Sequence, residues 1–274
     1  MAKEKPELST TRRYDANYGN FQSELYAQIR IEAFGEDIGQ NSWLTSDEYD
    51  KFLGWLELSS RKKLLDVACG AGGPALRTAE RFGCGVTGVD VHESAIAAAN
   101  GAASERGLSR QAVFLLGNAA ERLPFPDASF DAIICIDAVN HLPGRNAVFA
   151  EWSRLLKANG KLLFTDPIVV TGPLTATEIK LRSMSGFYLF VPVGYDENLL
   201  SENGFAVLKR EDVTENMARI AEKRRSARNR REKELREIES DSGFEEQQEF
   251  LATTHLVASE RRLSRFVFLA HKMR

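Results

Sequence analysis

The stretch Leu64-Leu-Asp-Val-Ala-Cys-Gly-Ala-Gly-Gly73 decides how the chain is organised. Its first half is a short apolar run that contains one acid, Asp66, and such a run is typical of a buried strand. Its second half is rich in glycine, which lets the backbone turn tightly and approach a ligand closely. Residues 74–81 follow with a helical pattern and with proline in the first turn, where a helix tolerates it. The stretch therefore predicts a strand, a tight loop and a helix in succession.

The same alternation of strand and helix continues along the chain. Further strands are predicted at 85–90, 112–116, 130–136, 160–165, 205–208 and 266–270, and helices at 94–105 and 145–156. Strands that alternate with helices predict a mostly parallel sheet with helices on both faces. We therefore expect an α/β, Rossmann-like fold with a seven-stranded sheet.

The segments outside this alternation are expected to be helical. Residues 1–60 are predicted to form an N-terminal helical cover, and residues 61–274 the main domain. That domain is expected to carry insertions at about 167–204 and 214–262, of which the second is a heavily charged helical lid.

Composition narrows the class of protein. The 274 residues carry 36 basic and 39 acidic side chains, so the net charge of −3 lacks the basic excess usual in nucleic-acid binders. The three cysteines, Cys69, Cys84 and Cys135, have no metal-ligand spacing, and we expect reduced thiols and no metal. No apolar run reaches the ~20 residues that span a bilayer, and no apolar segment follows the charged N-terminus. We expect a cytoplasmic protein without a membrane span.

The glycine loop differs from two common phosphate-binding loops. It is not the Gly-x-Gly-x-x-Gly of dinucleotide sites, because the third glycine position falls on Ala75, and no Gly-Lys-Ser/Thr follows it. Asp90 ends the second predicted strand, where a carboxylate can accept both hydroxyls of a ribose. Each feature alone can be structural, as a turn or a helix cap. Together, in one βαβ unit, they favour a nucleoside site.

Four motifs in order extend this pattern. They are Asp66-Val-Ala-Cys-Gly-Ala-Gly72, Gly88-Val-Asp90, Leu123-Pro-Phe-Pro126 before Phe130-Asp131, and Leu155-Leu-Lys-Ala-Asn-Gly160. Over roughly residues 60 to 170 the chain resembles the class I S-adenosylmethionine-dependent methyltransferases. The resemblance implies an enzyme that binds S-adenosyl-L-methionine and releases S-adenosyl-L-homocysteine.

The resemblance also implies which residues hold this cofactor. Gly70 and Gly72 would face its methionine part, Asp90 its ribose and Val91 its adenine, while Asn118 stands where the family usually has an aspartate for the adenine amino group. The full set implied for the cofactor is Asp66, Ala68, Gly70, Gly72, Asp90, Val91, Asn118, Ala119, Ile136, Gly39 and Gln40.

Segments around the core narrow the resemblance to one branch. Phe34-Gly-Glu-Asp-Ile-Gly-Gln40 looks like the N-terminal element of the sarcosine/dimethylglycine and phosphoethanolamine N-methyltransferases, and the cyclopropane fatty acid synthases are more distant. Asp137-Ala-Val-Asn-His-Leu142 resembles a motif of the phosphoethanolamine enzymes. Two positions depart from the sequence pattern of these relatives, and both bear on which substrate the protein accepts. Gly39 stands where the relatives have a histidine. The catalytic tyrosine of the phosphoethanolamine enzymes has three candidates in this sequence, Tyr14, Tyr18 and Tyr26.

The predicted function is methyl transfer to a nitrogen or oxygen of a small-molecule acceptor. His141 is the candidate base, since the ordinary pKa of ~6.5 suits proton transfer, and Asp137 is expected to orient it; the alternative is that His141 caps a helix or fills space. Tyr18, Trp43, Phe187 and Tyr188 are candidate acceptor contacts, although such an aromatic set also suits a core.

Several alternatives stay open. The acceptor could be a lipid or fatty-acyl chain, or the protein could bind the cofactor without catalysis. The basic stretch 219–236 could bind RNA, but acids follow it and aromatic residues are few, so a solvated lid helix is favoured over a nucleic-acid groove. Either a monomer or a homodimer is expected.

Overall fold

One mixed sheet carries the alternating pattern expected from the sequence. The protein is described here by a computed structural model, which covers Phe21, residues 23–184 and residues 186–273. Within these residues the sheet has eight strands in the order β3-β2-β1-β4-β5-β8-β7, with β6 beside β5. The strands are β1 Lys63–Val67, β2 Gly85–Asp90, β3 Ala112–Leu116, β4 Phe130–Cys135, β5 Leu156–Val170, β6 Val191–Pro192, β7 Phe205–Asp212 and β8 Leu263–Lys272. Strands β1 to β6 pair in parallel, and β8 runs antiparallel to β5 and β7.

Helices cover both faces of this sheet. Alternate residues of β1 point to opposite faces, so Leu65 packs in the same core as Trp152, whereas Leu64 packs with Phe52 and Leu76 on the other side. The predicted Rossmann-like architecture is confirmed. The helices are α1 Glu24–Phe34, α2 Ser46–Gly54, α3 Gly73–Phe82, α4 Glu93–Glu105, α5 Arg145–Leu155, α6 Ala176–Arg182, α7 Tyr195–Glu202, α8 Thr214–Asn229 and α9 Glu232–Ser259.

The sheet is larger than the predicted seven strands. Strand β5 continues through Asp166 and Pro167 to Val170, because Val169 and Val170 pair with Ser264 and Leu263 at the start of β8. The two-residue β6 then pairs with this extension. Part of the segment expected as an insertion therefore belongs to the sheet, since its hydrogen-bond partners come from the far end of the chain.

The charged helices α8 and α9 are more buried than a solvated lid would be. Met217, Ile220 and Ala221 of α8 pack with Leu251 of α9 and with Phe34 of α1. Along these helices the apolar side chains of Ile220, Ala227 and Leu235 are buried, and that of Ile238 is exposed. Helix α9 is kinked at Ser240, which has a φ of 68°.

The segment between α1 and α2 lies directly on the glycine loop. A Cβ atom added to Gly73 would lie 2.0 Å from the carbonyl oxygen of Ile38 and 2.6 Å from the Cα atom of Gly39. Because both contacts are with backbone, they leave no room for a side chain. The N-terminal segment is thus packed against the loop that follows β1.

We predict that Gly73→Ala lowers the free energy of unfolding by about 1–3 kcal/mol, because the added methyl group must displace the backbone of residues 38–39. Urea denaturation measures the change. The matched control is Gly101→Ala in α4, where nothing lies within 4 Å of the added Cβ atom and where alanine is the better helix former by about 0.5–1 kcal/mol. Equal stabilities of the two variants would contradict the close packing.

Candidate active site

The candidate site lies at the carboxyl ends of β1 and β4, the neighbouring strands at the centre of the sheet. The chain proceeds from β1 outward to β2 and β3, and from β4 outward to β5, so the strand order reverses between them. In open α/β sheets, the crevice at such a reversal is where ligands bind. Two non-glycine residues with left-handed backbone, Ala68 (φ 56°) and Asp137 (φ 52°), follow these two strands. Strained backbone of this kind is often retained for function.

Asp90 fixes the shape of the glycine loop. Its carboxylate is buried, with Oδ2 accepting a hydrogen bond from the Gly70 N–H at 2.8 Å and Oδ1 accepting one from the His92 N–H at 3.0 Å. Each carboxylate oxygen can accept a second hydrogen bond. The arrangement therefore offers two acceptor positions for a diol beside the loop.

Glycine is required in this loop and in the strand next to it. Gly72 has a φ of 76°, and a Cβ atom on it would lie 2.8 Å from both Ala99 Cβ and Phe114 Cζ. A Cβ atom on Gly88 would lie 2.4 Å from Phe114 Cδ1. The loop thus presents backbone without side chains towards the crevice, and the Phe114 ring packs against Gly72 and Gly88.

Asp66 is a buried acid in β1, immediately before the glycine loop. Burial, and then the charge of nearby Asp90, raises its pKa to about 8. Asp66 therefore carries a proton at neutral pH, which spares the loop a second negative charge next to Asp90.

The residues expected beside adenine lie at the ends of β2 and β3. Val91 is 40% exposed and Leu116 is 59% exposed, whereas Ala119 is buried. The Oδ1 atom of Asn118 accepts a hydrogen bond from the Ala120 N–H at 3.0 Å, and this bond closes a turn. The two exposed aliphatic side chains provide an apolar surface next to Asp90.

His141 follows β4 in a short 3₁₀ turn and is half-buried. Its Nδ1 atom lies 3.1 Å from the carbonyl oxygen of Phe187, and its ring meets that of Tyr188 edge-on at 4.5 Å between centroids. Since a carbonyl oxygen only accepts, Nδ1 carries the proton and Nε2 is the basic atom. Burial, reinforced by the positive charge of Arg182, lowers the pKa of His141 to about 4, so its ring is neutral at neutral pH.

Asp137 does not orient His141 through a hydrogen bond, contrary to the role expected for it. Its Oδ1 atom accepts from Arg265 Nε and from Thr165 Oγ1, each at 2.7 Å, and its Oδ2 atom accepts from the Trp43 N–H at 2.9 Å. The reason is that β8 places the fully buried Arg265 beside the carboxyl end of β4. Asp137 therefore belongs to an ion pair inside the protein.

This ion pair continues into a network that sequence reasoning missed. Arg265 Nη1 donates to Glu48 at 2.7 Å, and Asn216 Nδ2 donates to Glu48 and to the carbonyl oxygen of Trp43, each at 3.0 Å. Burial raises the pKa of Glu48. We call Glu48, Asp137, Asn216 and Arg265 the arginine network; it joins α2, β4, α8 and β8.

The remaining predicted site residues differ in their burial and in their contacts. Gln40 is buried, and its side chain accepts from the Ile38 N–H at 2.8 Å and donates to the Glu36 carbonyl at 3.1 Å, so it shapes the segment over the glycine loop. Trp43 is buried and stacks on Phe250 at 6.1 Å. Phe187 is 45% exposed, and Ile136 is half-buried at the end of β4. Tyr18 lies outside the described residues.

The basic stretch 219–236 is matched by acidic residues. Arg228 donates to both oxygens of Glu239, which also accepts from the Tyr26 hydroxyl, and Arg230 and Arg231 both pair with Glu32 of α1. Arg225 pairs with Glu222, and Arg236 with Glu232, Asp241 and Glu245. The pairs of Arg230 and Arg231 with Glu32 therefore hold α1 against the junction of α8 and α9, whereas Arg225 and Arg236 pair within their own helices.

Over the part of the chain that the structure covers, no three His, Cys, Asp or Glu side chains are grouped so that they could hold a metal ion. None of the helices described above is both long and apolar enough to cross a membrane.

The sequence is similar to those of known methyltransferases. Residues 65–164 match the family model described as a methyltransferase domain. The chain is 29% identical over 204 residues to 27-O-demethylrifamycin SV methyltransferase of Amycolatopsis mediterranei, which covers 70% of this chain and 75% of the relative.

Two solved structures share the fold. The cyclopropane synthase MmaA2 of Mycobacterium tuberculosis superposes with a TM-score of 0.81 at 21% identity, covering 96% of this chain and 99% of that one. Phosphoethanolamine N-methyltransferase 2 of Haemonchus contortus, in complex with phosphomonomethylethanolamine and S-adenosylhomocysteine, gives 0.79 at 20% identity, covering 96% of this chain and 60% of that one.

We predict that Asp66→Asn stabilises the protein at high pH and leaves it nearly unchanged at pH 4. The pKa of Asp66 rises from 3.8 to about 8 on folding, so the wild type loses stability as pH rises through this window. The gain should reach a few kcal/mol by pH 8, at about 1.4 kcal/mol per pKa unit. Thermal unfolding at pH 4, 6 and 8 measures it; a pH-independent difference would contradict a protonated Asp66.

We predict that His141 stays neutral with its proton on Nδ1 well below the ordinary histidine pKa of 6.5, and titrates near pH 4. Ring ¹³C and ¹⁵N chemical shifts report both the tautomer and the titration midpoint. The sequence has 4 histidines, and His141→Gln assigns the signal by its loss. A midpoint near 6.5 would show that burial does not suppress its charge.

Proposed function

We propose that this chain, a methyltransferase of the class I S-adenosylmethionine-dependent fold, transfers a methyl group to a nitrogen or oxygen of a small-molecule acceptor. One observation carries the proposal: the glycine loop at the strand-order reversal is hydrogen-bonded to the Asp90 carboxylate, and His141 follows the adjacent central strand β4. The Asp90 carboxylate can bind the ribose of a nucleoside. The His141 ring can accept a proton.

The residues present fit S-adenosylmethionine. Asp90 has free acceptor positions for the ribose hydroxyls, and the bare backbone at Gly70 and Gly72 suits close approach of the methionine part. Val91 and Ala119 would flank the adenine, with Asn118 at its edge. When bound, the cofactor supplies an electrophilic methyl group on its sulfonium.

The protein's task is then to position the acceptor and exclude water. Aligning an acceptor atom with the methyl group supplies much of the rate, since the reaction needs little covalent help from the protein. Residues 36–40, packed on Gly73, would close the methionine end of the crevice. The neutral His141 would take the acceptor's proton at Nε2.

The acceptor is expected to enter beside His141. Phe187 and Tyr188 contact this residue from the segment after α6, and the Trp43 N–H donates to Asp137. The relatives named above act on different acceptors, so choice of acceptor must depend on these outer segments rather than on the shared core.

We predict that S-adenosylmethionine raises the melting temperature of the wild type and that Asp90→Ala removes this effect. A ligand that binds the native state alone stabilises it by about 2.7 kcal/mol at a concentration of 100 Kd. Because Asp90→Ala also removes the hydrogen bonds from the Gly70 and His92 N–H groups, Asp90→Asn is the conservative companion and should retain weakened binding.

The control for this titration is Asp241→Ala, an acid that is 82% exposed on α9. It should respond to the cofactor as the wild type does. Absence of any stabilisation of the wild type at millimolar S-adenosylmethionine would overturn the proposed function. His141→Gln should keep cofactor binding and lose transfer of labelled methyl groups to a pool of small metabolites.

A further inference from the structure

We infer that Arg145 is a positioning residue for the acceptor half of the site, meaning the residues around His141. It holds the turn that carries His141 against the segment that carries Phe187 and Tyr188. The inference rests on the proposed function, which assigns the acceptor to this part of the site. Three buried side chains carry it, namely Arg145, Asp166 and Asp196.

The turn between β4 and α5 is tied to β5 at both of its ends. At its start, the Thr165 hydroxyl donates to Oδ1 of Asp137 and accepts from the Asp137 N–H, each at 2.7 Å. At its end, Nη1 of Arg145 donates to Oδ2 of Asp166 at 2.5 Å. Thr165 and Asp166 are neighbours in β5, so their side chains point to opposite faces of the sheet. The turn is therefore held on both faces, with His141 between the two ends.

The same nitrogen of Arg145 also holds α7. Nη1 donates to Oδ1 of Asp196, in the first turn of this helix, at 2.8 Å. The chain passes from Phe187 and Tyr188 through β6 into α7. Within the described residues, the buried Nε and Nη2 atoms of Arg145 have no hydrogen-bond partner, so the two carboxyl groups alone orient its guanidinium. One side chain thus joins the turn, β5 and α7.

The charges of this cluster balance when it holds one proton. Burial, and then the charge of Asp166, raises the pKa of Asp196 to about 8. Asp196 is therefore protonated at neutral pH, and it shares its proton with Asp166 in a hydrogen bond. Oδ1 of Asp166 accepts from the Ile168 N–H at 3.0 Å, and its charge is balanced by Arg145. Asp196 acts here as a neutral hydrogen-bonding group, so no unpaired ion is buried.

The two segments that Arg145 joins meet at His141. Nδ1 of His141 lies 3.1 Å from the Phe187 carbonyl oxygen, and the Leu189 N–H donates to the Asn140 carbonyl oxygen at 2.9 Å. A relative shift of the segments by about 1 Å would break both bonds, because hydrogen bonds weaken steeply beyond ~3.2 Å. Arg145 therefore sets the orientation of the His141 ring towards the acceptor by fixing the distance between these segments.

The test follows the His141 ring by NMR in the cofactor-free protein, where ¹³C and ¹⁵N shifts report its tautomer and titration midpoint. Asp196→Ala cuts the link to α7 and leaves the pair of Arg145 with Asp166 in place. We expect the ring to lose its preference for the proton on Nδ1, and the midpoint to rise from about 4 towards 6.5. A variant that is less stable but keeps the wild-type tautomer and midpoint would overturn the inference.

Two further variants separate positioning from a general loss of packing. Glu197→Ala is the matched control, because it changes the next residue of α7, whose partner is the 42% exposed Arg210, and it should keep the wild-type signal. Asp196→Asn is the rescue, because its amide oxygen can accept from Arg145 and its amide N–H can replace the proton shared with Asp166. It should restore the wild-type tautomer and midpoint; a signal like that of Asp196→Ala would contradict the role of these hydrogen bonds.

The double variant Arg145→Met/Asp166→Asn tests the link to β5. It removes both charges together, so neither ion is left buried without its partner. We expect the same change in the His141 signal as in Asp196→Ala, and a wild-type signal would overturn the inference. Should this variant fail to fold, the comparison of Asp196→Ala with Asp196→Asn still decides.

Failure of this inference and failure of the proposed function give different results. Loss of the proposed function would appear as the absence of stabilisation by S-adenosylmethionine in the thermal titration. The His141 signal is measured without the cofactor, so it upholds or refutes the role of Arg145 whatever the result of that titration.

Discussion

The buried ion pair between Asp137 and Arg265 is the interaction on which the arrangement of the site depends. It links the carboxyl end of β4 to β8, and through Glu48 and Asn216 it reaches α2 and α8. A buried pair of this kind is weak evidence for net stability, but removal of one partner leaves an unpaired charge and costs about 3–5 kcal/mol. The network therefore specifies how the helical segments sit against the sheet. Asp137 itself has a left-handed backbone conformation.

The two halves of the site are built in different ways. The half assigned to the cofactor comes from successive strand ends, where Asp90 orders the loop after β1 through a single backbone hydrogen bond. The half assigned to the acceptor is assembled from separate segments around β4, namely the cover with Trp43, the segment with Phe187 and Tyr188, and α6 with Arg182.

Because the two halves are built differently, the sequence predicts the cofactor half better than the acceptor half. Local sequence patterns predict the sheet and the loop. These patterns are the alternation of strands and helices, the glycine-rich stretch and Asp90 at the end of β2. Arg265 has no local signal, because its partners Asp137 and Glu48 are 128 and 217 residues away in sequence. The same holds for the extension of β5, whose partner strand is β8, and for the burial of α8, since its charges are matched by Glu32 and Glu239 on other helices.

The position of β8 between β5 and β7 has a consequence for the order of events during synthesis. Asp137 and Glu48 leave the ribosome long before Arg265, so the nascent chain holds both acids without their arginine. The edge of β5 also stays unpaired until residues 263–272 are available. The glycine loop and Asp90 can form early from neighbouring strands. The acceptor half can take its final shape only after the last strand has inserted, so the cofactor half matures first.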